Sequence, residues 1–166
     1  MKKKTFSLLV ENTSGVVSHI SGLFSRRAFN IDSFTAGVTT DQRYTRVTIV
    51  ASGDNHDLDQ IEKQLAKLED VMDIKSLEPG SSVTRELMLV KVKAMIKDRQ
   101  QIMYISEIYH GKIVDITNES MIIEVTGQQA KLDAFLQLLE GYEILELART
   151  GLTGLTRGSD DVTYLD

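Results

Sequence analysis

The residues of this chain whose types and spacing suit chemistry are two amides and a glycine. Asn12 and Gly15 lie in Val10-Glu11-Asn12-Thr13-Ser14-Gly15-Val16-Val17, where a strand-like run gives way to a helix-like one. Asn30 lies in Ala28-Phe29-Asn30-Ile31-Asp32, where the helix-like run ends. A helix start offers unpaired backbone N–H groups and the positive end of the helix dipole, so it suits a carboxylate. A favourable charge there contributes about 0.3–2 kcal/mol, and Gly15 permits close approach to the backbone. The amides add a hydrogen-bonding group at each end of the helix. The same residues also suit plain capping, with Thr13 or Ser14 as N-cap and Asn30 as a left-handed C-terminal cap. Spacing alone leaves the ligand site and the caps both open.

Little else in the chain points to catalysis. His19, His56 and His110 share no metal-ligand spacing, and no metal site is expected. No nucleotide-binding glycine loop, nucleophile elbow or HExxH motif occurs. Asp54, Asp57, Asp59 and Glu62 flank a helix start, where the dipole accounts for them. With no cysteine, neither disulfides nor thiolate metal sites are possible. A net charge of −5 argues against nucleic acid as a partner, since phosphate binding needs a basic face. The runs TFSLLV and RVTIVA also lack the aromatics on which RNA-binding domains of similar topology stack bases. No apolar stretch approaches the ~20 residues that span a bilayer, so the expected compartment is the cytoplasm, with no membrane contact.

The elements that must position the amides follow from hydrophobic periodicity. Strand-like Thr5 to Val10 leads into a helix whose buried face is Val16, Val17, Ile20, Leu23 and Phe24. Ile31 to Thr39 and Thr45 to Ala51 form a hairpin, Asp57 to Leu68 a helix, and Val71 to Leu77 a strand. After the chain's single Pro, the rhythm repeats: strand Glu86 to Ala94, helix Arg99 to Tyr109, hairpin Lys112–Thr117/Ser120–Thr126, helix Ala130 to Leu139 and strand Ile144 to Arg149. The expected fold class is α+β, with two tandem ferredoxin-like βαββαβ domains. The domains are placed at 1–78 and 84–166, with a linker at 79–83 and a short C-terminal tail. Gly151 to Gly158 in that tail reads equally as a contact segment or a flexible end. Domains this small leave sheet edges unpaired, so a dimer is expected.

LLVENTSGVVSHISGLFSRRAFNIDSF resembles the N-terminal ACT domain of the small, regulatory subunits of acetohydroxyacid synthase, also called acetolactate synthase. The resemblance extends through Arg46-Val47-Thr48-Ile49-Val50, Arg85-Glu86-Leu87-Met88-Leu89-Val90-Lys91-Val92 and the closing Ala148-Arg149-Thr150-Gly151-Leu152-Thr153-Gly154. It implies a regulatory subunit that makes no product itself. Such a chain activates a separate catalytic subunit and confers feedback inhibition by valine or another branched-chain amino acid. The controlled reaction opens branched-chain amino-acid biosynthesis by condensing pyruvate with pyruvate or 2-oxobutanoate. Thiamine diphosphate, Mg²⁺ and FAD are expected in the catalytic partner and none of them in this chain.

The resemblance also implies a homodimer through the ACT domains, which form the first domain (1–78). Residue by residue, Asn12, Gly15, Val16, Asn30 and Ile31 match positions lining the effector site. The N–H groups at Gly15 and Val16 would meet the effector carboxylate, and oxygens at Asn12 and Asn30 its ammonium. Ile31, from the partner subunit, would wall its isopropyl group. Such a pocket separates ligands differing by one methylene by only about 1–3 kcal/mol, so weaker responses to leucine or isoleucine are expected. Departures from the family pattern are Ala28 for the usual Gly, His19 for a frequent Arg, Thr13 and Ser14 for an acidic residue and Pro or Ser, and Ala36 for Val. A free-standing tandem ACT sensor and a small ferredoxin-like enzyme are the alternatives.

Overall fold

The computed structural model describes residues 1–165; Asp166, the last residue of the expected tail, lies outside the described residues. The first half runs β1 (Lys2–Glu11), α1 (Val16–Arg26), β2 (Asn30–Val38), β3 (Tyr44–Gly53), α2 (Asn55–Ala66) and β4 (Val71–Ser76). The second runs β5 (Ser82–Lys93), α3 (Ile96–Ile108), β6 (Lys112–Ile116), β7 (Ser120–Gly127), α4 (Gln129–Leu138) and β8 (Ile144–Arg149), with a further strand β9 (Thr153–Thr156). The sheets are antiparallel with orders β2-β3-β1-β4 and β6-β7-β5-β8. Each is the split βαβ arrangement that the repeated rhythm predicts.

Alternation along the strands decides what each sheet buries. In the first unit Phe6, Leu8 and Val10 of β1 and Val47, Ile49 and Ala51 of β3 meet Val16, Ile20, Leu23 and Phe24 of α1 and Leu58, Ile61 and Leu65 of α2. Each large side chain so buried contributes about 1.5–3 kcal/mol. The opposite face of β1 and β3 is buried too, at Ser7, Leu9, Thr48 and Val50. That is why SLLV and VTIV read as nearly unbroken apolar runs. In the second unit Met88, Val90 and Val92 alternate with exposed or half-buried neighbours and pack on Ile102, Ile105, Leu132 and Phe135. Its other face carries a shallow groove of about 480 Å³ lined by Leu89, Lys91, Ile122, Glu146, Leu147 and Ala148.

The chain from Leu152 onward groups with residues 1–83, while residues 84–151 form the second unit. The tail therefore departs from its expected place in the second domain. Gly151, at φ 83, turns the chain after β8 in a conformation that favours glycine. β9 then pairs with the start of β5, Arg157 N–H donating to Ser81 O (2.8 Å). β9 also lies against β3, and Thr163 Oγ1 donates to Asp73 Oδ2 of β4 (2.6 Å). The expected linker is structured as well: residues 79–81 make a turn, and Ser82 and Val83 already belong to β5.

α1 ends in a Schellman motif, with Phe29 N–H donating to Phe24 O (3.1 Å) and Ala28 N–H to Ser25 O (3.3 Å). The rings of Phe24 and Phe29 meet edge to face at 6.3 Å, supplying the usual apolar clasp. The left-handed residue is Ala28, at φ 55, and not Asn30. Alanine there strains its Cβ by about 1–2 kcal/mol. Ala28→Gly is expected to raise stability by about 1 kcal/mol, lifting the melting midpoint by roughly 2–4 °C. A midpoint unchanged or lowered in a thermal melt would contradict this account of the cap.

Candidate functional site

The β1–α1 connection is tied down on both sides. Asn12 N–H donates to Arg43 O (2.8 Å) in the β2–β3 hairpin, and Glu11 N–H donates to Asp70 O (2.9 Å) before β4. His19 Nδ1 lies 2.5 Å from Asp70 Oδ2, which braces α1 against the same turn. Asn12 Nδ2 donates to the carbonyl of Gln42 (2.9 Å). A carbonyl only accepts, so the NH₂ of Asn12 must face it and the amide oxygen is left for another partner.

α1 starts without a side-chain cap. Its N-cap is Gly15, at φ −94 and ψ −8, and neither Thr13 nor Ser14 caps it as their positions suggested. α2 does the opposite: Asp54 accepts from Asp57 N–H (2.8 Å) in a capping box whose reciprocal bond, from Asp54 N–H to Asp57 Oδ2, is 3.4 Å. The early N–H groups of α1 thus keep the polarity that suits an anion. Nothing in the fold asks for glycine at position 15. Its φ is open to any residue, and an added Cβ would meet only the His19 ring, at an ordinary 3.5 Å. Val16 buries its side chain in the first core, and its backbone N–H donates a long hydrogen bond to Thr13 O (3.4 Å) within this loop.

Asn30 opens β2 and is exposed. Its Nδ2 donates to Asp32 Oδ1 (2.6 Å). A carboxylate is acceptor-only, so here too the amide turns its oxygen away from the protein partner. Ile31 is half-buried and packs against the first core, on the helix side of the sheet. Ala36 is exposed further along the same strand.

The expected residues form two groups, and one chain does not bring them together. Glu11 pairs with Tyr44, and Asn30 with Ser52, eight residues further along β3. At ~3.3 Å per residue, the ends of β3 that carry Asn12 and Asn30 lie roughly 26 Å apart. Gly15 and Val16 stand with Asn12, and Ile31 stands with Asn30. Asp32, which the sequence did not single out, joins Asn30 through the register shift between Ile31 and Ser33. The other histidines stay apart: His56 is exposed in the first turn of α2, and His110 takes φ 55 after α3. Among the described residues no group of three or more His, Cys, Asp or Glu is arranged to hold a metal ion, and no helix is long and apolar enough to cross a membrane.

Residues 6–73 match the family described as the AHAS small subunit-like ACT domain, and residues 85–158 the family described as the small subunit of acetolactate synthase. The chain belongs to the acetolactate synthase small-subunit family. It is 47% identical over 154 residues to a probable acetolactate synthase small subunit of Methanothermobacter thermautotrophicus, covering 92% of each chain. It is 43% identical to the isozyme 3 small subunit of Escherichia coli, covering 94% of this chain and 96% of that one. The crystal structure of the Thermotoga maritima acetolactate synthase small subunit superposes with a TM-score of 0.87 at 38% identity, over 96% of this chain and 99% of that one. As a small subunit with an ACT regulatory domain, the chain serves a large subunit in which the catalysis is carried out.

The two helix starts should respond differently to truncation of their hydroxyl and carboxylate groups. Asp54→Ala is expected to cost about 1 kcal/mol, as the loss of a cap does. Thr13→Ala and Ser14→Ala should each fall within about 0.5 kcal/mol of the parent. Urea unfolding of the three variants checks this; a cost of about 1 kcal/mol at Ser14 would mean that a side chain caps α1 after all.

Proposed function

We propose that this small subunit activates the large subunit of acetolactate synthase and makes it sensitive to valine, bound between the ACT domains of two copies. The complex would work in the cytoplasm, with thiamine diphosphate, Mg²⁺ and FAD carried by the large subunit. The observation that carries this reading is the division of the polar groups between the two ends of β3. Asn12, Gly15 and Val16 offer an uncapped helix start and one outward amide oxygen, while Asn30 offers the other oxygen at the far end.

Antiparallel pairing of two β2 edges would resolve the division. β2 is the nine-residue edge of the first sheet and, among the described residues, pairs with β3 alone. A two-fold axis through its middle sets Asn30 of one copy beside the Val38 end of the other. Val38 pairs with Thr45, next to the Tyr44 that pairs with Glu11. The amide of one chain then reaches the helix start of the second. A zwitterionic amino acid fits such a composite site, its carboxylate on the N–H groups of α1 and its ammonium between two amide oxygens. Binding across the pair couples effector occupancy to the arrangement of the two copies. A coupling of about 1–3 kcal/mol changes the partner's activity 5–150-fold.

Gly15 gives the sharpest test, because the fold tolerates a methyl group there while a bound carboxylate would not. Acetolactate formation by the large subunit should rise on adding the chain and fall again as valine is titrated in. Gly15→Ala, Asn12→Ala and Asn30→His should keep the stimulation but lose the valine response, with Gly15→Ala melting within about 0.5 kcal/mol of the parent. Retained valine inhibition in all three variants would reject the site, and absence of stimulation would reject the activating role.

A further inference from the structure

Asp32 stands at a β-bulge: Ile31 pairs with Ala51 and Ser33 with Val50, so Asp32 is the extra residue on β2. Bulges re-aim side chains, and this one gathers two hydrogen-bond donors and a lysine ammonium around one carboxylate. Asn30 Nδ2 donates to Oδ1 at 2.6 Å. The buried Ser52 hydroxyl donates to Oδ2, and Lys3 Nζ lies 3.7 Å from that oxygen. With Oδ2 held by Ser52 and Lys3, Oδ1 is left to Asn30.

We propose that Asp32 is a positioning residue: by holding the Asn30 amide with its oxygen outward, it makes the effector site select a protonated amine at the ligand's α-carbon. The proposal rests on the effector reading above and deepens it. An ammonium group only donates hydrogen bonds and needs an oxygen opposite it, whereas a hydroxyl donates or accepts and is served by either orientation of the amide. A carboxylate at position 32 permits one orientation only. An amide at position 32 permits both, since it can present an oxygen or an NH₂ to Asn30. The wild-type site therefore favours an amino acid over the 2-hydroxy acid of the same carbon skeleton, and Asp32 sets the margin.

The test is calorimetric titration of the full-length chain with L-valine and with L-2-hydroxyisovalerate, which replaces the ammonium by a hydroxyl. The wild-type chain should prefer valine. Asp32→Asn should lower the ratio of the two affinities about tenfold, as loss of a fixed hydrogen bond to a charged group does, and mainly through valine. Asp32→Glu keeps the acceptor-only partner and should restore most of the ratio. Ser52→Ala retains the carboxylate but loosens it and should lower the ratio by about threefold; it decides the matter alone if Asp32→Asn does not fold. A ratio unchanged in these variants, or equal weakening of both ligands, overturns the positioning role while leaving valine binding intact. A wild-type chain that binds neither ligand overturns the effector reading and this assignment with it.

Discussion

β3 is hydrogen-bonded along its whole length, ten residues against β1 on one side and eight against β2 on the other. Its register fixes where every polar group of interest can be. The end at Tyr44 receives the β1–α1 loop, and the end at Ser52 receives the start of β2. Because side chains alternate along a strand, a shift of one residue would exchange the Val47, Ile49 and Ala51 face for the Thr48, Val50 and Ser52 face. The first core would then lose its aliphatic contacts, and Asp32 would lose Ser52. The burial of both faces of β3 makes that shift prohibitive, so the same packing that stabilises the domain also sets the spacing of its amides.

Polarity follows from which partners the amides find inside the protein. Both Asn12 and Asn30 give their NH₂ groups to acceptors that cannot donate, a carbonyl and a carboxylate. Both consequently present oxygen. The helix start beside Asn12 presents the opposite sense, because no side chain closes it. On the proposed reading, the positive and negative ends of an amino acid would meet complementary surfaces at these groups. α3 and α4 also start without a side-chain cap, so among the described helices it is α2, closed by Asp54 and Asp57, that stands apart.

The chain from Leu152 onward belongs with the first unit for a related reason. A ferredoxin-like sheet covers one face with its two helices and leaves the other to be covered by something else. In the first unit that other face is apolar enough to be buried, and β9 and Thr163 lie against the first sheet. In the second unit the corresponding face keeps Lys91 and Glu146 among its apolar residues. The ion pair between them is exposed; the hydrogen bond that Lys91 donates to Glu146 lowers the glutamate's pKa and raises the lysine's.

The elements were legible in the sequence because their hydrophobic periods are strong: the helical stripe of α1, the apolar runs of β1 and β3, and the alternation along β5. The family was legible because ENTSGVV and GLFSRRAFNID carry specific residues at fixed spacing. The capping readings left open at Thr13, Ser14 and Asn30 are not the ones the fold adopts, because these residues have the right chemistry but their local geometry depends on where the helix begins and ends. Ala28 took the left-handed position since the Phe24–Phe29 contact fixes the end of α1 there. β9 was missed because Gly and Thr in a short run give little strand signal without the partner strand that orders them. Residue types, local periods and the family are set by the chain's own order of side chains. The separation of roughly 26 Å between the ends of β3 that carry the two amides, the turn of their oxygens away from their protein partners and the return of the tail arise only from long-range hydrogen bonding, which local sequence does not encode.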